Sequence, residues 1–336
     1  MRALVVCPGR GSYQKAQLGS LQDEHPILQA LDQFRKDLGR KTLTELDAAD
    51  RFSGTRHVAG ENASILTFGS TARDLAMIDR SKVDIVAIAG NSMGFYSALY
   101  AAGCLSLLDA AHLIETMGAF QKGNVIGGQL LYPLINEDWT LDAERCESVE
   151  KVLEHEDVHL SIRLGGTAVI AGSAEGLRHC AKTLPTIKQG AREFPLQLPM
   201  HSAFHTPLLQ PTSALAKQSL GELPITAPMI PLVAGNGRIF GKWSSREDIL
   251  AYTLGEQVVE TYDFSLSIKA ALGDFGPEAI VLPGPGDTLG GPVAQTMIQM
   301  GWRGLRDKQD FLEAQKADQP LLLSMAWPKQ RKLVVS

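Results

Sequence analysis

The chain has 336 residues, 44% of them hydrophobic and 21% charged, with a formal net charge of −5 at pH 7. A chain of this length can bury a substantial core and divides into about one to three domains. No apolar run approaches the ~18 residues needed to cross a bilayer, and the N-terminal "MRALVVCPGRGS" is too short in apolar residues for a signal peptide, so the expectation is a soluble, cytoplasmic globular protein. No basic stretch occurs before "KQRK" at 329–332, which argues against a nucleic-acid partner. The four cysteines, Cys7, Cys104, Cys146 and Cys180, lack CxxC spacing, which argues against a disulfide framework and a zinc site.

In chain order, short apolar strands are predicted at 3–7, 83–89, 166–172, 230–235 and 278–284. Helical periodicity falls between them, at 26–38, 62–79, 94–103, 107–121, 174–183, 206–219, 246–254 and 292–300. The alternation indicates an α/β architecture with a mainly parallel sheet. From about 126 to 202 the order becomes β-α-β-β-α-β, the pattern of a ferredoxin-like unit inserted into the larger domain. The predicted division is therefore 1–125 with 203–306 as the large domain, 126–202 as the small one, and 307–336 as a weakly patterned C-terminal tail.

One turn carries chemistry. "DIVAIAG" (84–90) runs into Asn91, Ser92, Met93 and Gly94, and "FYSALYAAG" follows as a helix. A Gly-x-Ser-x-Gly turn between strand and helix holds its serine in a strained backbone with the hydroxyl exposed, and the glycines permit close approach of the two elements. The alternative is an ordinary Gly-rich turn of an α/β protein. The helix start leaves amides free, and that of Met93 is placed to donate to an oxyanion. A nucleophilic serine needs a base, and all eight histidines lie at or before position 205. The notable pair is His201 and His205 in "LPMHSAFHTPLL", where Pro195, Pro199 and Pro207 favour an extended, turning segment at a cleft. His201 reads as a satisfied or surface residue, as do His57, His112, His155, His159 and His179.

The order and wording of "CPGRGSYQ", "GNSMGFYSALYAAGCLSLLDAAHLIETMG", "GGQLLYPLI", "AVIAGS", "PMHSAFHTPLLQP", "APMIPLVAGN" and "VLPGPGDTL" resemble the family of malonyl-CoA:acyl-carrier-protein transacylases and polyketide synthase acyltransferase domains, over about residues 3–300. The resemblance implies an α/β-hydrolase-like core with an inserted ferredoxin-like small domain. It implies Ser92 as nucleophile, His205 as base, and the backbone carbonyl of Gln257 in "GEQVVETYDFS" as the group that orients the base. Its Pro-Gly-Gln-Gly-Ser turn matches "PGRGS", so the oxyanion donors would be the amides of Arg10 and Met93.

The resemblance also marks departures. Malonyl-transferring members carry an arginine where this chain has Met117, and a His-Ala-Phe-His element where it has Ser202, Ala203, Phe204 and His205. The expected acyl pocket is Met117, Phe204 and Ser202. Burying an unpaired carboxylate beside methionine is costly, so the acyl group is expected to be acetyl, alkyl or polyketide-like rather than malonyl. Alternatives are an ordinary malonyl transacylase in which Arg10 or Arg163 reaches the carboxylate, and a thioester hydrolase using the same pair. A generic esterase places its histidine late, whereas about 130 residues follow His205 here. A non-catalytic carrier-binding protein would not need both Ser92 and His205.

The implied partners are an acyl carrier protein and acyl-CoA. Neither nucleic acid nor membrane is expected to bind, the protein is expected to be a monomer, and no metal or redox cofactor is implied. Candidate basic residues for an acidic carrier are Lys122, Arg163, Arg178, Lys182 and Lys188.

Overall fold

A computed structural model describes residues 1–121, 125–190 and 192–336. The strands are β1 (Arg2–Cys7), β2 (Asp84–Gly90), β3 (Gly128–Pro133), β4 (Val158–Leu164), β5 (Thr167–Gly172), β6 (Ile187–Gln189), β7 (Arg192–Phe194), β8 (Leu196–Gln197), β9 (Leu232–Val233), β10 (Ile239–Phe240), β11 (Tyr262–Asp263), β12 (Ala279–Leu282) and β13 (Leu322–Ser324). Six of them form one sheet in the order β10-β9-β2-β1-β12-β13. Every pairing in it is parallel except β9 with β10. The central strands are apolar runs buried on both faces, as a parallel sheet covered by helices requires.

The helices that matter for the site are α1 (Pro26–Asp37), α2 (Leu43–Asp47), α3 (Gly60–Met77), α4 (Gly94–Ala101), α5 (Leu107–Ala119), α6 (Ala143–Val152) and α7 (Ala174–Thr183). Side-chain caps start several of them: Ser106 accepts from the amide of Asp109 at α5, Asp142 from that of Arg145 at α6, and Ser173 from that of Gly176 at α7. Helix α4 lies against β1 and β2, which places its first turn at the C-terminal ends of those strands. Ligands of open α/β sheets bind at that edge.

The second sheet runs β11-β4-β5-β3-β8. Taking β3, α6, β4, β5, α7 and β8 in chain order gives β-α-β-β-α-β, and their spatial order, fourth strand, first, third, second, with antiparallel neighbours, is the ferredoxin-like arrangement. The hairpin β6–β7 lies between α7 and β8. One strand enters from outside the predicted insert: β11 pairs parallel with β4 and joins the small sheet to the segment that carries Gln257. The small sheet has its own apolar cluster, which includes Leu130, Tyr132, Val152 and Ile170.

The last thirty residues differ from the tail expected of them. Strand β13 is the sixth strand of the main sheet, the amide of Asp79 donates to the Val334 carbonyl (2.8 Å), and Arg331 pairs with the buried Asp74 (2.9 Å). The apolar run "PLLLSM" is short, and only its partner β12, some forty positions earlier, makes it a strand. Among the described residues no helix is long and apolar enough to cross a membrane.

Candidate active site

The turn after β2 has little room. A Cβ at Gly90 would lie 2.2 Å from the Gly94 carbonyl oxygen, one at Gly94 2.2 Å from that of Cys7, and one at Gly9 2.5 Å from that of Asn91. Each glycine is therefore a point where backbone meets backbone, and together they press the strand-to-helix turn against the "PGRGS" turn after β1. Ser92 takes φ 54°, a left-handed conformation that costs a non-glycine residue about 1–3 kcal/mol and lifts the side chain off the sheet edge.

His205 also has a positive φ, 58°, and lies buried between the rings of Phe204 and Tyr262. Its Nε2 is 2.7 Å from Ser92 Oγ, and its Nδ1 is 2.5 Å from the carbonyl oxygen of Gln257. A carbonyl only accepts, so Nδ1 carries the proton and Nε2 is free to accept from the serine hydroxyl. The small sheet supports this segment: Gln129 donates to Ser161 Oγ (2.8 Å), and that hydroxyl donates to the Phe204 carbonyl (2.8 Å).

Ser92, Met93, Arg10, Met117, Phe204, His205 and Gln257 all line one cavity of about 430 Å³ between the two sheets. Neither the Arg10 amide nor the Met93 amide donates to another backbone carbonyl among the described residues. The walls beyond Ser92 are largely apolar, with Ile114 and Met117 from α5 facing Leu131, Ile162 and Val169 of the small sheet.

No family model matches the chain. Over 291 residues it is 25% identical to the malonyl CoA-acyl carrier protein transacylase of Escherichia coli strain K12, an alignment covering 85% of this chain and 90% of that enzyme. Across that span the chain is similar to malonyl-CoA:acyl-carrier-protein transacylases. The curated relatives it matches are acyltransferases, the malonyl CoA-acyl carrier protein transacylases of Escherichia coli and Bacillus subtilis among them. Its fold is that of the malonyl-CoA:ACP transacylase of Synechocystis sp. PCC 6803, with a TM-score of 0.76 at 17% identity over 99% of both chains. A malonyl-transacylase solved in complex with a type II polyketide synthase acyl-carrier protein has the same fold, with a TM-score of 0.70 at 20% identity over 88% of this chain and 93% of that one.

Against the residues that the family resemblance marks, the acyl pocket needs one correction. Ser202 does not line the cavity: it is buried behind the wall, where its hydroxyl accepts from the amide of Ile126 (3.2 Å). Arg163 is also off the cavity, 60% exposed and paired with Asp263 (3.4 Å). Arg10 is different, because it lines the cavity. Its Nη1 donates to Gln121 Oε1, its Nη2 donates to the Met200 carbonyl (2.6 Å), and burial pulls its pKa down to about 10, so it stays charged at neutral pH.

His201 also lines the cavity and bonds the Pro199 carbonyl (2.8 Å); burial, then the charge of Arg10, lowers its pKa to about 3. Arg192, on β7, lines the cavity as well, although no sequence pattern marked it. Of the histidines set aside as structural, His57 Nε2 meets the Leu46 carbonyl at 2.9 Å, and the rings of His155 and His179 lie 4.6 Å apart at a tilt. Of the basic residues expected to face a carrier, Arg178, Lys182 and Lys188 are exposed, and Lys122 lies outside the described residues.

Burial lowers the pKa of His205 to about 4, against a smaller upward pull from the Gln257 carbonyl. The neutral form is the base, so Ser92 acylation should stay level from pH 8 to pH 5 and fall below about pH 4.5 as the ring protonates. Because the folded value lies below the ordinary 6.5, the contribution to stability is complete above pH 6.5 and is lost as pH falls through 4. The urea midpoint should therefore decline between pH 7 and pH 4, with His205 alone contributing a few kcal/mol at 1.36 kcal/mol per unit. A rate limb near pH 6.5 would show that the ring is solvated during catalysis.

Proposed function

We propose that this protein transfers an acyl group from a CoA or carrier-protein thioester to an acyl carrier protein through an ester on Ser92. The observation that carries this reading is the 2.7 Å contact between Ser92 Oγ and His205 Nε2, with His205 backed at Nδ1 by a carbonyl. His205 takes the hydroxyl proton as Ser92 Oγ attacks the thioester carbon, and the carbonyl electron pair moves onto oxygen. The amides of Arg10 and Met93 stabilise that oxyanion; one such donor is typically worth about 3–4 kcal/mol in the transition state. Collapse breaks the C–S bond, and His205 returns its proton to the departing sulfur. A second thiol, on a phosphopantetheine arm, gives its proton to His205, attacks the ester and reverses the sequence. The steps use protein groups alone, so the proposal needs no metal or redox cofactor.

The acyl group we propose is uncharged, acetyl or a longer alkyl or polyketide-like chain. Met117 and its apolar neighbours supply no counter-charge, and both terminal nitrogens of Arg10 already donate to neutral carbonyls. A second reading, a malonyl group, is favoured by one observation: Arg10 places a cation in the cavity wall, and Arg192 adds a second at its lining. The carrier-protein partner is supported by the shared fold with the transacylase solved in complex with its carrier, and Arg178, Lys182 and Lys188 are the candidate contacts. The test is to mix acylated protein with a holo carrier protein and weigh both. Transfer predicts that the carrier gains the acyl mass as the enzyme loses it, whereas loss of the acyl group to water with no gain on the carrier would make the protein a hydrolase.

A further inference from the structure

We infer that Tyr96 is a positioning residue that holds nucleophile and base in register through the side chain of Gln257, an inference that rests on Ser92 and His205 being the reacting pair. The Ser92 carbonyl oxygen can only accept, so the nitrogen of the Gln257 amide must face it, and does so at 3.0 Å. The amide oxygen is thereby turned to the Tyr96 hydroxyl at 2.8 Å, and the tyrosine must be the donor. No other assignment satisfies all three groups, so the orientation of the amide follows from its partners. Tyr96 and Gln257 are both buried, and burial drives the phenol pKa well above its ordinary value, so the donor proton is always present.

The consequence lies in what Gln257 joins. Its side chain grips the peptide of Ser92, and its own carbonyl takes the Nδ1 proton of His205. Both partners sit at positive φ, conformations that persist only where the surroundings over-determine them. Besides Gln257, the Ser92 carbonyl has the Phe95 amide at 2.9 Å, a bond local to its own turn. Tyr262 also spans the two, its hydroxyl donating to the Gly90 carbonyl (2.6 Å) and its ring lying against His205, but Gln257 is the residue that hydrogen-bonds both the Ser92 peptide and the imidazole. Tyr96, one helical turn beyond Ser92 on α4, fixes that glutamine and closes a ring from Ser92 through α4 to Gln257 and back. Tyr96 borders the cavity, but its hydroxyl donates to Gln257 and not to Ser92 or His205, so it acts through that side chain.

The test uses the whole protein and three variants, Tyr96→Phe, Gln257→Leu and the double. The rate of Ser92 acylation is measured by intact mass with whichever of acetyl-CoA or malonyl-CoA labels the wild type, and phenylmethylsulfonyl fluoride inactivation gives a measure independent of acyl choice. Tyr96→Phe should lower kcat about tenfold with KM within about twofold, because a sub-ångström misplacement of reacting groups acts on the chemical step. Gln257→Leu keeps the backbone carbonyl and should cost more, about thirtyfold. The double variant should be no slower than Gln257→Leu alone, since the tyrosine acts only through the glutamine. The acid limb of the rate should move to lower pH in Tyr96→Phe as the Gln257 carbonyl loosens from Nδ1.

Wild-type kcat and an unmoved acid limb in Tyr96→Phe would overturn the inference, as would additive losses in the double variant. A loss that tracks a lowered melting temperature, with no change in the limb, would also overturn it and leave Tyr96 a structural role only. If wild-type Ser92 is never labelled, by acyl-CoA or by the sulfonyl fluoride, the reading of the reacting pair fails instead.

Discussion

Replacing Ser92 by alanine abolishes the covalent acyl-enzyme: brief exposure of the wild type to acetyl-CoA, malonyl-CoA and a medium-chain acyl-CoA gives at least one mass adduct, and Ser92→Ala gives none. His205→Ala, which removes the base 2.7 Å from the hydroxyl, slows acylation by about a thousandfold or more. The two losses should not multiply in the double variant, because a serine without its base and a base without its serine fail at the same step. A competing nucleophile is not expected. Cys7, Cys104 and Cys180 are buried, burial pushes the thiols of Cys104 and Cys180 up to about 12 and about 11, and a thiol attacks only as thiolate. An adduct of equal yield in Ser92→Ala, mapped to any cysteine, would remove the serine mechanism altogether. The lifetime of the adduct then separates transfer from hydrolysis. An ester stable for minutes in buffer and discharged within seconds by a holo carrier protein marks a transferase, and one that decays in buffer alone marks a hydrolase.

Much of this was legible in the sequence because the determinants are local. The run Asp84–Gly90, the glycines at 90 and 94 and the helix that follows carry their own physics, and the structure places them as a strand, a turn with Ser92 at positive φ, and α4. The ferredoxin-like order was readable for the same reason, since each element shows its own period. Non-local features were not readable. The helix Phe264–Phe275 begins Phe-Ser-Leu-Ser-Ile, which alternates like a strand and masks the local signals that bound it, the Asp263 side chain accepting from the amide of Leu266 (2.8 Å) and a left-handed Gly276 at the far end. Strand β13 needs β12, and β11 needs β4. Within the site, Ser202 stood next to pocket residues in sequence, but the Phe204 amide turns back onto the Ser202 carbonyl (2.8 Å) and the Ser202 hydroxyl is taken by the Ile126 amide, a turn that strand alternation does not anticipate. Arg192 went unmarked because a lone arginine on a short strand has no sequence signature; only the β6–β7 hairpin brings it to the cavity.

The choice of acyl group should be the second large effect, and it turns on two residues. With Met117 in the wall and the Arg10 fork engaged by Gln121 and Met200, a malonyl carboxylate beside α5 would lack a bidentate partner there, Arg192 being the one other arginine at the lining among the described residues. Leaving a charged group without its hydrogen bonds costs about 2–3 kcal/mol, which at 1.4 kcal/mol per tenfold is about a hundredfold in rate. Wild-type Ser92 is therefore expected to load acetyl or alkyl groups about a hundredfold faster than malonyl, and Met117→Arg to narrow or reverse that ratio by placing a planar fork on α5. Arg10→Gln keeps a backbone amide for the oxyanion and removes only the guanidinium, so in the neutral-acyl reading it leaves acetyl loading within a few-fold of wild type. The opposite pattern is equally readable. Rapid malonyl loading by the wild type, lost on Arg10→Gln and unchanged by Met117→Ala, would mean that the guanidinium releases Gln121 and the Met200 carbonyl to take the carboxylate. The cation for the carboxylate would then come from the turn after β1 and not from α5.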